Sequence, residues 1–249
     1  MIVNFFWHGG KLGRLEHLTL ASFCKQGHKA HLWAYQPLHV NWGIPGLREN
    51  LTVLPAGDIL DPGKVFTYTG NGDCSVGSLG GFSDIFRYYL LNQVGGWYCD
   101  MDVTCLTSFA DLDQYPIILR PHHKTGVVAN ILKLPAGHSI FRHLIEETQA
   151  QVTQANSRWI LPVEIFSKHA RCLSEYITPV EYFGNDSPTE IERYITENYF
   201  LASLPKYAIH WCHTAITTGR WQSHHLTSVH DPSPLTVLYN LYQQHDIPQ

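Results

Sequence analysis

Residues 95–105 read GGWYCDMDVTC. Two carboxylates, Asp100 and Asp102, stand inside a run that is otherwise apolar. A buried charge is costly unless it is paired or holds a metal. Few chains can carry this stretch in a core without giving the pair something to bind. In an extended segment, residues i and i+2 project from one face. The pattern therefore predicts one strand through WYCDMDVTCL, with Asp100 and Asp102 together and Met101 opposite. Oxygen donors suit hard divalent cations such as Mg²⁺ or Mn²⁺. A second copy of the spacing, Asp111-Leu112-Asp113, reads as a solvated turn.

The segment just before sharpens this. SDIFRYYLLNQVGG is apolar nearly all round, which predicts a buried helix with Ser83 as N-cap and Gly95-Gly96 as its stop. Yet its first turn carries Asp84 and Arg87, spaced i,i+3 on one side. Such a pair is either a structural salt bridge at a helix start or two groups that reach a ligand beside the metal.

The rest of the chain supplies a frame. Ile2–Trp7 reads as a strand, 15–26 as a helix, HKAHLWAY as a strand, and LTVLPAGDIL as carrying a third. Strand–helix–strand succession predicts an α/β fold around a mostly parallel sheet. Residues 57–82 read as a long, Gly-rich loop of the kind that often carries function. Further strands are expected in YPIILR, GVVANILKL and KYAIHW, and helices near 138–153, 188–199 and 234–243. A length of 249 residues with no evident linker predicts one domain spanning 1–249. The net charge of -4 gives no nucleic-acid footprint. The six cysteines form no C-x-x-C pair and read as mostly buried thiols of a reducing compartment. No stretch approaches the ~20 apolar residues of a membrane span. P-loop, dinucleotide-binding and nucleophile-elbow motifs are absent.

FSDIFRYYLLNQVGGWYCDMDVTC resembles the S-D-x-x-R-x-x-x-L…G-G-x-Y-x-D-x-D-V block of the DXD sugar-binding glycosyltransferases. That family includes yeast initiation mannosyltransferases, α-1,4-galactosyltransferases and the catalytic domains of large clostridial toxins. Ser83, Asp84, Arg87, Gly95, Gly96, Tyr98, Asp100, Asp102 and Val103 fit. NFFWHGG resembles the family's first strand, GVVANILKLPAGHSIF its segment with an Asn at a strand end, and YAIHW its late A-x-H-x-W element. The match is dense at 83–103 and loose elsewhere. WILPVEIF departs from the Gly-Pro the family often has after its middle helices, which bears on the acceptor side.

The resemblance implies a GT-A nucleotide-sugar-binding sandwich. It also implies retaining transfer of a hexose from a nucleotide-sugar, with UDP-Gal or UDP-Glc as first candidates, to a glycan or lipid-linked saccharide, assisted by Mn²⁺ or Mg²⁺. The roles it implies are Asp102 as main metal ligand with Asp100 and His210 beside it, and Asp84 and Arg87 on the donor sugar. Asn130 would lie near the reacting carbon. Trp7 would offer a flat face to the base, Tyr98 would line the donor site, and Trp221 would close over the phosphates. His213 is the alternative ligand to His210, and Cys212 would turn that cluster toward zinc. Placement in the cytoplasm at the inner membrane face, with peripheral membrane association, follows from a lipid-linked acceptor. Rival readings of the same residues are a nucleotide-sugar hydrolase and a non-catalytic carbohydrate-binding protein.

Overall fold

The structure is a computed structural model that describes residues 1–196, 203–213 and 232–248. It begins as the sequence predicts. Strand β1 (Ile2–Trp7) leads through a glycine turn into helix α1 (Arg14–Lys25), then β2 (Lys29–Ala34), the short helix α2 (Leu47–Asn50) and β3 (Leu51–Pro55). Glu16, in the first turn of α1, accepts the Gly13 N–H at 2.7 Å, so the helix start is capped by its own side chain. β1 pairs in parallel with β2, and β2 with β3.

Residues 56–79 cross the sheet edge through two 3₁₀ turns to helix α3 (Gly80–Val94). α3 starts three residues before the expected N-cap. Ser78 Oγ accepts the Gly80 N–H at 3.2 Å and starts the turn, whereas Ser83 lies inside the helix and donates to the Gly80 carbonyl. Asp84 and Arg87 are thus past the first turn, and the free N–H groups of the helix start do not explain them. Ile85, Phe86, Leu90 and Leu91 are buried, each contributing about 1.5–3 kcal/mol from apolar burial.

β4 (Gly96–Cys99) then enters the sheet beside β1, in parallel. The expected single strand through Cys105 is broken. β4 stops at Cys99, residues 101–102 form a turn, and β5 (Val103–Cys105) belongs to another sheet. The cause is topological: β4 is bonded to β1 and β7, while β5 pairs with β8 (Ala208–His210), and the chain steps between the two sheets at Asp100–Asp102.

β6 (Ile118–His122) and β7 (Gly126–Leu134) close the far side as an antiparallel pair, giving the order β3-β2-β1-β4-β7-β6 among the described residues. α4 (Ile140–Gln151), α5 (Leu161–Ala170), α6 (Val180–Phe183), α7 (Pro188–Thr196) and a last helix, Val237–Gln244, follow. α5 falls on WILPVEIF, where no helix was expected; Pro162 sits in its first turn, where proline is tolerated. One apolar cluster packs α1 and the last helix on one face of the sheet, and a second packs α3, α4 and α5 on the other. The fold is a helix–sheet–helix α/β sandwich. Its strand order reverses between β1 and β4, and in open α/β sheets ligands bind at the carboxyl ends of strands at such a point. Trp7 and Asp100 stand at those two ends.

Candidate active site

Asp100 follows the last residue of β4, and its N–H donates to the Asn130 carbonyl of β7 at 2.9 Å. Its carboxylate accepts from Arg87 Nη2 at 2.8 Å, and the same nitrogen lies 3.3 Å from Asp84 Oδ1. Arg87 is buried, with its guanidinium 4.9 Å over the Tyr98 ring. One arginine thus holds two carboxylates that face the sheet's carboxyl edge. Burial raises the Asp84 carboxyl to about 6 against the pull of Arg87, and burial together with the Asp102 charge raises Asp100.

Two residues on, Asp102 is set quite differently. Burial penalises its charge, but His210 and the His213 N–H outweigh that and hold it at about 2. Asp102 Oδ1 lies 3.2 Å from His210 Nε2, and Oδ2 accepts the His213 N–H at 2.9 Å. Val103–His210 register across β5 and β8 brings His210 beside Asp102. Ligand atoms of Asp100, Asp102 and His210 all lie within 4.8 Å of one another. The two aspartates do converge, through a turn and not through strand alternation, while Met101 turns into the core.

On its other edge the His210 ring meets a buried polar group. Nδ1 lies 2.9 Å from Asp186 Oδ1, 2.8 Å from Asn130 Nδ2 and 3.2 Å from Cys212 Sγ. Arg120, buried on β6, bonds Asp186 at 2.6 Å and Asn130 at 3.1 Å and gives its remaining donors to the Phe183 carbonyl. Burial opposes an imidazolium here, but Asp102 and Asp186 outweigh it and raise His210 well above the usual range; burial likewise opposes the Asp186 charge, which Arg120 and His210 hold well below.

The other expected residues fall as follows. Asn130 sits in the middle of β7, not at a strand end, and is 3% exposed; its amide serves Arg120, Asp186 and His210. Tyr98 is 1% exposed and faces Arg87 and Asp100 inside the core. Trp7 is half-buried, and its indole donates to the Lys11 carbonyl. His213 contributes its backbone N–H to Asp102 at 2.9 Å, and the His210 ring lies 3.2 Å from the same carboxylate. Trp221 lies outside the described residues. Asp111, the second D-x-D copy, is on an exposed 3₁₀ turn as expected. Sequence reasoning missed Arg120 and Asp186. An arginine closing the apolar run YPIIL is the one signal that marks the first; GNDSP reads as an ordinary turn.

Residues 80–118 match the model of the glycosyltransferase sugar-binding region containing a DXD motif. Over 63 residues, 25% of this chain, the sequence is 30% identical to inositol phosphoceramide mannosyltransferase 3 of Schizosaccharomyces pombe, and the matched stretch spans 18% of that protein. Among solved structures, the chain is similar along its whole length to the glycosyltransferase GlyE of Streptococcus pneumoniae TIGR4, with a TM-score of 0.56, 12% identity and 60% of that chain covered. It is also similar to the galactosyltransferase LgtC in complex with donor and acceptor sugar analogs, with a TM-score of 0.53, 13% identity and 98% of that chain covered. The fold is that of the GT-A glycosyltransferases, and Asp84, Arg87, Asp100 and Asp102 all lie within the matched DXD sugar-binding region.

Proposed function

We propose that this chain is a retaining, divalent-metal-dependent glycosyltransferase that moves a hexose from a nucleotide-sugar to a glycan or lipid-linked acceptor in polysaccharide or glycolipid synthesis. The observation that carries this reading is the meeting of Asp100, Asp102 and His210 within 4.8 Å at the carboxyl edge of β4. Two carboxylate oxygens and one imidazole nitrogen fit Mn²⁺, which accepts mixed O and N donors, or Mg²⁺ through the oxygens. Asp102, held at about 2, stays ionised at any working pH. When bound, the cation supplies positive charge to the diphosphate that leaves as the glycosidic bond breaks.

The protein's own residues do the rest. Asp84 and Arg87 present an acceptor and donors beside Asp100 and would hold sugar hydroxyls and phosphate oxygens. Arg87 also keeps Asp100 aimed at the edge. Asn130, Arg120 and Asp186 fix the plane of His210. Trp7, at the end of β1, would lie against the base. Transfer on one face of the sugar, with the leaving phosphate assisting, would suit a site where Asp100, Asp102 and His210 hold a cation against the leaving diphosphate.

The yeast relative's name points to mannose as the transferred sugar, and that of LgtC to galactose. A thermal-shift panel of UDP-galactose, UDP-glucose and GDP-mannose with Mn²⁺ therefore tests the donor class. Mn²⁺-dependent stabilisation by one donor, with retention of anomeric configuration in the product, is expected. Stabilisation by none, or release of free sugar in preference to transfer onto glycan acceptors, contradicts the reading. A lipid-linked acceptor would draw the chain to a membrane surface from the cytoplasmic side; among the described residues no helix is long and apolar enough to cross one.

A further inference from the structure

Asp102 hangs between two peptide units, and a different element holds each. The unit after it is bonded through the Asp102 carbonyl to the Trp211 N–H, just past β8, at 2.9 Å. The unit before it carries the Met101 carbonyl, which accepts the Thr19 hydroxyl of α1 at 2.9 Å. Thr19 is fully buried, and the Met101 side chain packs in the same apolar cluster as Leu15, Leu18 and Phe23 of α1. A threonine inside a helix ordinarily turns its hydroxyl back to the carbonyl one turn earlier or out to water. Ser22 does the local thing and donates to the Thr19 carbonyl at 2.7 Å. Thr19 instead gives its one donor to a turn 82 residues away.

We propose that Thr19 is a positioning residue of the cation site: its bond to the Met101 carbonyl sets the angle at which Asp102 meets the ion. The inference rests on the reading of Asp100, Asp102 and His210 as the transferase cation site. A peptide unit is planar. Fixing the Met101 carbonyl therefore fixes the Asp102 N–H of the same unit and restrains rotation about the Asp102 N–Cα bond. Trp211 restrains the unit on the other side in the same way. A buried carbonyl that loses a donor is costly, so without the hydroxyl the unit rotates to recover one. That rotation carries the Asp102 carboxylate with it, away from Asp100 and His210. Thr19 is out of reach of solvent and acts only through the backbone of the turn.

Thr19→Val keeps the shape of the side chain and deletes its hydroxyl. Loss of groups that orient a metal ligand costs ~10–100-fold in affinity. Mn²⁺ titrated alone into the folded chain, well below its melting temperature, should bind about 10-fold more weakly to Thr19→Val. Thr19→Ser should restore the affinity. Thr19→Cys, whose thiol is a weaker donor, takes the place of the valine variant if that chain does not fold. Ser22→Ala is the matched control. Ser22 Oγ accepts the Cys105 N–H at 2.9 Å and so ties α1 to β5 without bonding the turn. This variant should lose stability and keep its Mn²⁺ affinity. Parent-like affinity in Thr19→Val overturns the proposal. Equal weakening in Ser22→Ala does so too, since it would trace the effect to loose packing of α1.

Hydrogen exchange reads the turn without any ion. The amides of Asp100, Asp102 and Trp211 should exchange faster in Thr19→Val than in Thr19→Ser, measured against those of β7. Unchanged protection there overturns the proposal whether or not Mn²⁺ binds. A parent chain that binds no Mn²⁺ contradicts the transferase reading, and with it the role given to Thr19 at a cation; faster exchange would then show only that Thr19 holds the turn.

Discussion

Asp84 and Asp100 share one buried arginine, and this decides whether the pair is structure or machinery. Asp84→Asn is the variant that separates the two, because it leaves the Arg87–Asp100 pair at 2.8 Å in place. Were Asp84 there only to balance Arg87, this variant would fold and work. We expect it to keep its melting temperature within a few degrees while transfer falls by about 10²–10³-fold, the cost of deleting an electrostatic contact to a transition state. Melting curves and donor kcat/KM measured together separate the two outcomes; retained turnover would assign the pair to structure. At this scale the sequence was informative where charge met an apolar run. Asp84, Arg87, Asp100 and Asp102 were legible because a buried charge is rare enough to notice. Asp186 was not, because an aspartate in GNDSP looks like any turn residue, and only the fold brings it 2.9 Å from His210. Asn130 was found, but its expected setting at a strand end was not; the long β7 carries it mid-strand.

Among the elements, the α3–β4 junction does the most to place the site. Gly95 ends α3 with φ 65°, and a Cβ there would lie 2.5 Å from the Ala136 backbone nitrogen. Gly96 has φ 83° but open space around its Cβ position. Both alanine variants carry the left-handed penalty of about 1–2 kcal/mol, which lowers the melting temperature by about 2–8 °C in a domain of this size. Gly95→Ala should fall further than Gly96→Ala because a backbone atom cannot step aside. Equal losses measured by calorimetry would mean that the close approach to Ala136 does not constrain the junction. The sequence marked this stop correctly and misplaced the helix's start, since Ser83 fits the residue type of a cap and only the Ser78 hydroxyl shows where the turn begins. It also hid the strand break at Asp100–Asp102. Alternation of side chains carries no information about which sheet a strand joins, and β5 leaves for β8.

Across the whole molecule, burial sets the acid limit. His28, His122 and His245 are buried, and burial lowers each to about 4. Unfolded histidine titrates at about 6.5, so between pH 6.5 and 4 the unfolded chain binds protons that the folded one refuses. Stability then rises with pH across that window and is lost as pH falls through it. Asp84, raised to about 6, works the other way and offsets part of the slope. Each unit of separation is worth ~1.4 kcal/mol. His28 accepts the Phe109 N–H at 3.1 Å, so His28→Gln, which keeps an acceptor, should flatten the urea-derived stability between pH 6.5 and 4. An unchanged slope would show that His28 does not carry it. The fold class itself was readable from the strand–helix rhythm, whereas α5 was not, its ten residues carrying at the second position a proline that suggests a loop.

A transferase of this kind needs the turn between β4 and β5 to hold a cation together with a nucleoside diphosphate. Electron paramagnetic resonance of Mn²⁺ titrated into the chain with UDP or GDP measures this directly, since the six-line signal of the free ion vanishes on binding. One Mn²⁺ per chain is predicted, tightened by the nucleotide. Binding should be lost in Asp102→Asn, weakened in His210→Ala and unchanged in His213→Ala. Mn²⁺ and nucleotide that bind Asp102→Asn as tightly as the parent chain would contradict the assignment.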